Sequence, residues 1–306
     1  MKHISEIIDA AAAAGMMKLA VASAQEPSVL EAVAEAYAAG IAEPILVGDP
    51  EAIAAAAALA REGKGIDISA FEIVPARDLY DSAAKAVELV RKGMAGFLMK
   101  GIIDTALLLK AALNKETGIN AGHLVCHIAV MEVPTYHKLL IVTDAAINIA
   151  PDLAGFIDII GSAVAVSRVL GTETPKVAFL GAVEKVNAEK MPCTVTAAIL
   201  TQMNRRGQIK NCIIDGPLAL DNAISAESAR IKKIVSDVAG DADILVAPDI
   251  EAGNILYKCL LDLARAKGAG IVMGASKPIV LTSRADTAET KLASIALASL
   301  TGRWTI

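Results

Sequence analysis

Residues 277–286, KPIVLTSRAD, set an apolar run directly before Thr282, Ser283, Arg284 and Asp286. Hydroxyls, a guanidinium and a carboxylate at the end of a buried strand are equipped to handle an oxyanion. The guanidinium forks onto phosphate oxygens and stays charged, and hydroxyls donate to a developing carbonyl oxyanion. In open α/β sheets the C-terminal end of a strand is where ligands bind. The same hydroxyls also suit a cap for a helix over 287–300, but a cap needs neither Arg284 nor Asp286.

Four more loops have this character, each following an apolar run and gathering polar groups beside Gly or Pro. One runs from Thr143-Asp144 to Asn148 and Pro151; a second, GAVEKVN, carries Glu184, Lys185 and Asn187. A third is Asp215-Gly216-Pro217 with Asp221 and Asn222, and a fourth is Pro248-Asp249 followed by Gly253-Asn254 and Tyr257-Lys258. Asn254 and Lys258, four apart, share a helix face and reach either phosphate or solvent. Asp, Asn, Gly and Pro are turn residues for local reasons, and Asp144, Asp215 and Asp249 also read as caps and loop ties. If the strands are parallel, all five loops fall on one edge, where helix N-termini favour anions.

The elements that must position these loops are strand-length apolar runs alternating with longer helical patterns, the signature of a parallel sheet. Strands are expected over 18–22, 44–47, 71–74, 96–99, 123–131, 138–142, 176–180, 211–215, 244–247, 270–273 and 279–281. Helices are expected over 28–39, 81–92, 260–267 and 287–300, and the Ala-rich stretch 52–60 is a strong helix former. The fold class is α/β, with about two domains for 306 residues. Taking 134–137 and 276–278 as crossings gives a discontinuous first domain, 1–137 plus 278–306, and a second domain, 138–277.

Composition narrows the functions. The chain is 55% hydrophobic but only 3% aromatic, so its cores rest on Ala, Val, Ile and Leu. A net charge of −5 with scattered Lys and Arg supplies no basic stripe for a nucleic-acid partner. No uninterrupted apolar run reaches the ~18 residues of a membrane span. Lys2, the alanines at 10–14 and Ala22-Ser23-Ala24 imitate a secretory leader, yet Glu6, Asp9 and Lys18 interrupt it. The four cysteines, Cys126, Cys193, Cys212 and Cys259, lack metal spacing and read as buried free thiols of a cytoplasmic protein. His123 and His127 have no evident third ligand, so no metal is expected. Gly268, Gly270 and Gly274 imitate a dinucleotide motif in the wrong order of elements.

The runs DGPLALDNAIS, DILVAPDIEAGNILYK and KPIVLTSRAD, in that order and spacing, resemble the phosphate acetyl/butyryltransferase family. VTDAAINIAPD and AVEKVN are more similar to its butyryl branch. The resemblance runs from about residue 18 to 297. It implies transfer of a short-chain acyl group, butyryl favoured, between CoA and inorganic phosphate, on two α/β domains with a central cleft, like isocitrate and isopropylmalate dehydrogenases. Ser283 and Arg284 would then be catalytic, with Asp286 the nearest acid. Thr282, Asp144, Glu184, Asn187, Asp215, Asp249, Asn254 and Lys258 would contact CoA or phosphate. The resemblance implies no tightly bound cofactor, small-molecule substrates as partners, and a homodimer or a multiple of it. The acetyl branch carries a catalytic Asp seven residues after the Ser; Thr290 stands there. Alternatives are a phosphate acetyltransferase, a metal- and NAD-dependent decarboxylating dehydrogenase on the same fold, and a regulator that binds CoA or phosphate without turnover.

Overall fold

The alternation of β-branched runs with Ala-rich stretches becomes a regular succession of strands and helices in a computed structural model, which describes residues 1–63, 65–281 and 286–304. In chain order the first half contains α1 Ile4–Ala13, β1 Met17–Ala22, α2 Pro27–Ala38, β2 Ala42–Gly48, α3 Pro50–Gly63, β3 Glu72–Pro75, α4 Leu79–Arg91, β4 Phe97–Lys100 and α5 Thr105–Ala112. There follow β5 Cys126–Glu132, β6 Leu140–Thr143, α6 Leu153–Val169, β7 Lys176–Leu180, α7 Cys193–Arg205, β8 Ile213–Leu218, the short α8 Leu220–Ile224 and α9 Ala226–Ile231, β9 Ile244–Val246 and α10 Ile250–Lys258. The chain closes with β10 Lys267–Met273, β11 Ile279–Val280 and α11 Ala288–Thr301. Asp78, Asp104, Asp152 and Asp249 each accept a backbone N–H of the first turn of α4, α5, α6 and α10. Such caps are worth about 1 kcal/mol each, which explains why Asp recurs where loops hand over to helices.

The chain forms two units. The terminal unit comprises Ser5–His123 and Ala269–Ile306; the mid-chain unit comprises Met1–Ile4 and Leu124–Gly268. In the terminal unit the strand order is β3-β2-β1-β4-β11-β10. All its pairs are parallel except β10 with β11, where Val272 faces Ile279. Its core is Leu19, Val21, Ile45, Phe97, Met99 and Ile279, all essentially unexposed. Trp304, the single tryptophan, follows α11, is 54% exposed, and donates its backbone N–H to the Thr301 carbonyl.

In the mid-chain unit the order is β5-β6-β9-β7-β8. β6, β9, β7 and β8 are parallel, while β5 runs antiparallel to β6. Its core gathers Val142, Ala178, Leu218 and Leu245, and Phe156 meets Phe179 edge to face at 4.9 Å. A charge network ties the N-terminal edge of this sheet. Lys138 pairs with Asp243 at 2.6 Å and Asp241 at 2.9 Å, Lys176 with Asp241 at 2.7 Å, and His137 with Asp241 at 2.9 Å.

Several local expectations are corrected. The segment around Pro134 to His137 joins two antiparallel strands of one unit. The strand expected to stop at Asp215 continues through Gly216 and Pro217 to Leu218, because β8 is the edge strand of this unit and tolerates a missing N–H. The helix expected over 260–267 is instead a single π turn, Cys259–Leu263, closing α10; Lys267 already belongs to β10. Of the four thiols expected to be buried, Cys126 and Cys212 are, Cys193 is half-buried, and Cys259 is exposed.

Candidate active site

Because β6, β7, β8 and β9 are parallel, the loops after them share one edge of the mid-chain sheet. Asp144 follows β6 and is 4% exposed. Its Oδ1 accepts the N–H groups of Ala146 and Ile147 at 2.9 and 3.1 Å, and its Oδ2 accepts the backbone and side-chain N–H of Asn148 at 3.2 and 2.6 Å. Asn148 Nδ2 also donates to the Val125 carbonyl at 2.8 Å, linking the loop to the start of β5. Asp144 therefore organises its own loop, and its negative charge also pushes up the Cys126 thiol, which burial raises first.

α10 locks against this loop. Asn254 Nδ2 donates to the Ala145 carbonyl at 2.9 Å, and a Cβ at Gly253 would stand 2.2 Å from the Asp144 carbonyl oxygen. Only glycine lets helix and loop approach so closely. Asp249 caps this helix through the Ala252 N–H at 2.8 Å, and Lys258 is exposed one turn beyond Asn254. His127 is buried with its ring edge-on to Tyr257 at 5.6 Å, and its carbonyl accepts the Thr143 hydroxyl at 2.9 Å.

After β7 the chain forms an open concavity of about 540 Å³, lined by Val183, Glu184, Lys185, Val186, Asn187 and Met191 among others. Asn187 folds the loop back: its backbone N–H donates to the Thr194 hydroxyl at 2.8 Å and its backbone carbonyl accepts the Met191 N–H at 2.9 Å. Glu184 accepts from Lys232 at 3.0 Å and from the Asn222 side chain, and Lys232 also pairs with Asp221 at 3.3 Å. The hydrogen bond from Lys232 holds the Glu184 carboxyl below the usual carboxylate range. Asp215 lies within β8, its Oδ1 accepting the Gly216 N–H at 2.9 Å.

In the terminal unit, Thr282, Ser283 and Arg284 lie outside the described residues. Asp286 is described and half-buried. Thr287 caps α11, accepting the Thr290 N–H at 3.1 Å, and the two hydroxyls bond at 3.0 Å. The structure thus gathers Asp144, Asn254 and Asp249 into one loop-helix lock, and Glu184 and Asn187 into one concavity. Asn148, named in sequence as part of the first polar loop, proves to return to that loop through Asp144, whereas Lys232 was missed by sequence reading, since nothing local marks a Lys reached from 48 residues away. Among the described residues, no group of three or more His, Cys, Asp or Glu side chains is placed to hold a metal ion. No helix there is long and apolar enough to cross a membrane.

Comparison with known proteins gives a consistent picture. The model of the family described as Phosphate acetyl/butaryl transferase matches residues 3–82 and 61–299. The chain is 48% identical over 300 residues to the phosphate butyryltransferase of Clostridium acetobutylicum, covering 98% of each chain. It is 48% identical over 284 residues to the phosphate acetyltransferase of Thermotoga maritima, covering 92% of this chain and 94% of that protein. Among solved structures, a branched-chain phosphotransacylase from Enterococcus faecalis superposes with a TM-score of 0.81 at 34% identity, covering 94% of this chain and 99% of the other.

Proposed function

The chain belongs to the phosphate acetyl/butaryl transferase family, and from that premise we propose that it moves a short-chain acyl group, butyryl foremost, between coenzyme A and inorganic phosphate. The observation that carries this reading is near full-length identity of 48% to a phosphate butyryltransferase. Equal identity to a phosphate acetyltransferase marks the reaction as common ground and the acyl length as the variable. The motifs VTDAAINIAPD and AVEKVN favour butyryl.

A phosphate oxygen attacks the thioester carbonyl, negative charge builds on the carbonyl oxygen, and CoA leaves as thiolate; the reverse reaction retraces these steps. Arg284 grips the phosphate with two parallel N–H donors. Ser283 and Thr282 donate to the oxyanion, and preorganised donors of this kind are worth about 3 kcal/mol each. A thiol of ordinary acidity is already a few per cent ionised at neutral pH, so starting from thiolate costs only about 2 kcal/mol. Holding the two reactants together supplies about 7 to 11 kcal/mol. Positioning dominates, and a strong base is dispensable. This accords with Thr290, whose hydroxyl is tied to Thr287; Asp286 is the acid left nearest in sequence.

Glu184, Asn187, Asp215, Asn254 and Lys258 are proposed to face CoA. Asp144 and Asp249, whose carboxylates serve their own backbone, position the others. The enzyme is proposed to act in the cytoplasm as a homodimer or a multiple of it, with CoA as substrate and no resident cofactor.

The test mixes purified protein with phosphate and butyryl-CoA or acetyl-CoA, without metal or NAD, and follows free thiol. Phosphate-dependent release with a higher kcat/KM for butyryl-CoA is expected. A preference for acetyl-CoA would reassign the substrate, and metal-dependent NAD reduction with a hydroxy acid and no thiol release would overturn the activity.

A further inference from the structure

The helix that locks the loop after β6 has a second face that its own unit does not use. Leu256, Tyr257, Leu260 and Leu261 pack against the mid-chain core. Ile255 and Leu263 are instead 68% and 78% exposed, and Cys259 between them is exposed too. In a regular α-helix, residues four apart drift around the axis by about 40° per step. The wider π turn over Cys259–Leu263 takes out part of that drift, so Ile255, Cys259 and Leu263 form one apolar ridge. Ridges of residues four apart are what two helices interdigitate when they cross at about −50°.

Charge indicates what the ridge meets. Glu251, Lys258, Asp262 and Arg265 are exposed along the same segment, and in chain order their signs run minus, plus, minus, plus. Reversing that order gives plus, minus, plus, minus. A second copy running antiparallel therefore sets Glu251 against Arg265 and Lys258 against Asp262, each pair occurring twice. The apolar ridge obeys the same reversal, with Ile255 meeting Leu263 and Cys259 meeting its own counterpart. The midpoints of these pairings fall at positions 258, 260 and 259, so one two-fold axis beside Cys259 serves them all. Parallel pairing in register would face like charge with like. A patch that complements itself under reversal suits an isologous contact.

We propose that the face from Glu251 to Arg265 is the surface through which two copies of the chain pair, antiparallel, with Cys259 next to the two-fold axis. This deepens the homodimer of the reading above and rests on it for the second copy, while needing nothing of the acyl-transfer chemistry. Lys258 keeps its place toward CoA, since an ammonium has three donors and a carboxylate across the axis takes only part of them. One helix then serves two contacts. Gly253 and Asn254 hold the loop after β6 on one side of α10, and the second copy holds the other side.

The experiment measures mass and self-affinity by analytical ultracentrifugation for wild type, Leu263→Glu, Arg265→Glu and the double variant Glu251→Arg with Arg265→Glu. Wild type is expected at twice 31.6 kDa or a multiple of that. Leu263→Glu and Arg265→Glu should each raise the dissociation constant about ten-fold or more, and the double variant, which restores opposite signs across the axis, should recover most of the Arg265→Glu loss. Recovery separates pairing from a folding defect, which a second substitution would deepen. A short bismaleimide should also join two wild-type chains through Cys259, and Cys259→Ser should abolish that product. A wild-type monomer of 31.6 kDa would overturn both the homodimer and this surface. A dimer whose affinity none of the variants changes, or one that does not cross-link through Cys259, would overturn the surface alone.

Discussion

In the acyltransferase reading two charged residues, Asp144 and Arg284, divide labour that sequence alone left undivided. Asp144 is sealed at 4% exposure with four donors on its carboxylate, so its charge is consumed locally. By the acyltransferase reading the charge of Arg284, four residues beyond the end of β11 in sequence, is spent on substrate instead. Lysine keeps the charge of Arg284 but loses the planar fork. Arg284→Lys is therefore expected to cut kcat/KM for phosphorolysis about ten-fold or more, equivalent to about 1.4 kcal/mol, with little change in melting temperature. Unchanged kinetics would remove Arg284 from the site. At this scale residue type was readable and role was not. Asp144, Asp215 and Asp249 look alike in sequence, and only the backbone around them reveals a loop tie, a contact within a strand and a helix cap.

At the scale of elements, the decisive contact is between α10 and the loop after β6. Gly253 sits where a methyl group would meet the Asp144 carbonyl oxygen at 2.2 Å, well inside contact distance. Gly253→Ala would ordinarily favour a helix, yet here it must push α10 away from the loop, costing about 2 kcal/mol net. Thermal unfolding should show a lower melting temperature together with a raised KM for acyl-CoA. A variant as stable as wild type would mean that the helix and loop are not locked. All the strands were readable from apolar runs bounded by turn residues, because that signal is local. Direction was not: the antiparallel pairing of β5 with β6 and of β10 with β11 depends on which distant segments meet. The Gly216-Pro217 pair misled for the opposite reason, since a turn signal is overridden where an edge strand carries it.

For the molecule as a whole, acid stability depends on the charges at the N-terminal edge of the mid-chain sheet. Partial burial pushes the Asp241 carboxyl up, but hydrogen bonds and charge from Lys176 and Lys138 outweigh it and hold the group at about 2, against 3.8 unperturbed. A depressed folded-state value contributes stability that is complete above 3.8 and is lost as the pH falls toward 2. With the side chain 41% exposed, solvent screening limits this to about 1 kcal/mol. Urea unfolding should show Asp241→Asn less stable than wild type by that amount at pH 7, with the gap closing between about pH 4 and 2; a gap independent of pH would refute the linkage. The division of the chain was only partly readable. Its ends were expected to return to one body, but the boundaries rest on strand partners, and 124–137 belongs with β6, which only pairing reveals. The poverty of aromatic residues has a practical optical side. Trp304 is the only indole in the chain and sits half-exposed just past α11, so its emission reports on the end of the terminal unit. The mid-chain unit contains no tryptophan, and its melting should be dark to that fluorophore while remaining visible in far-ultraviolet circular dichroism.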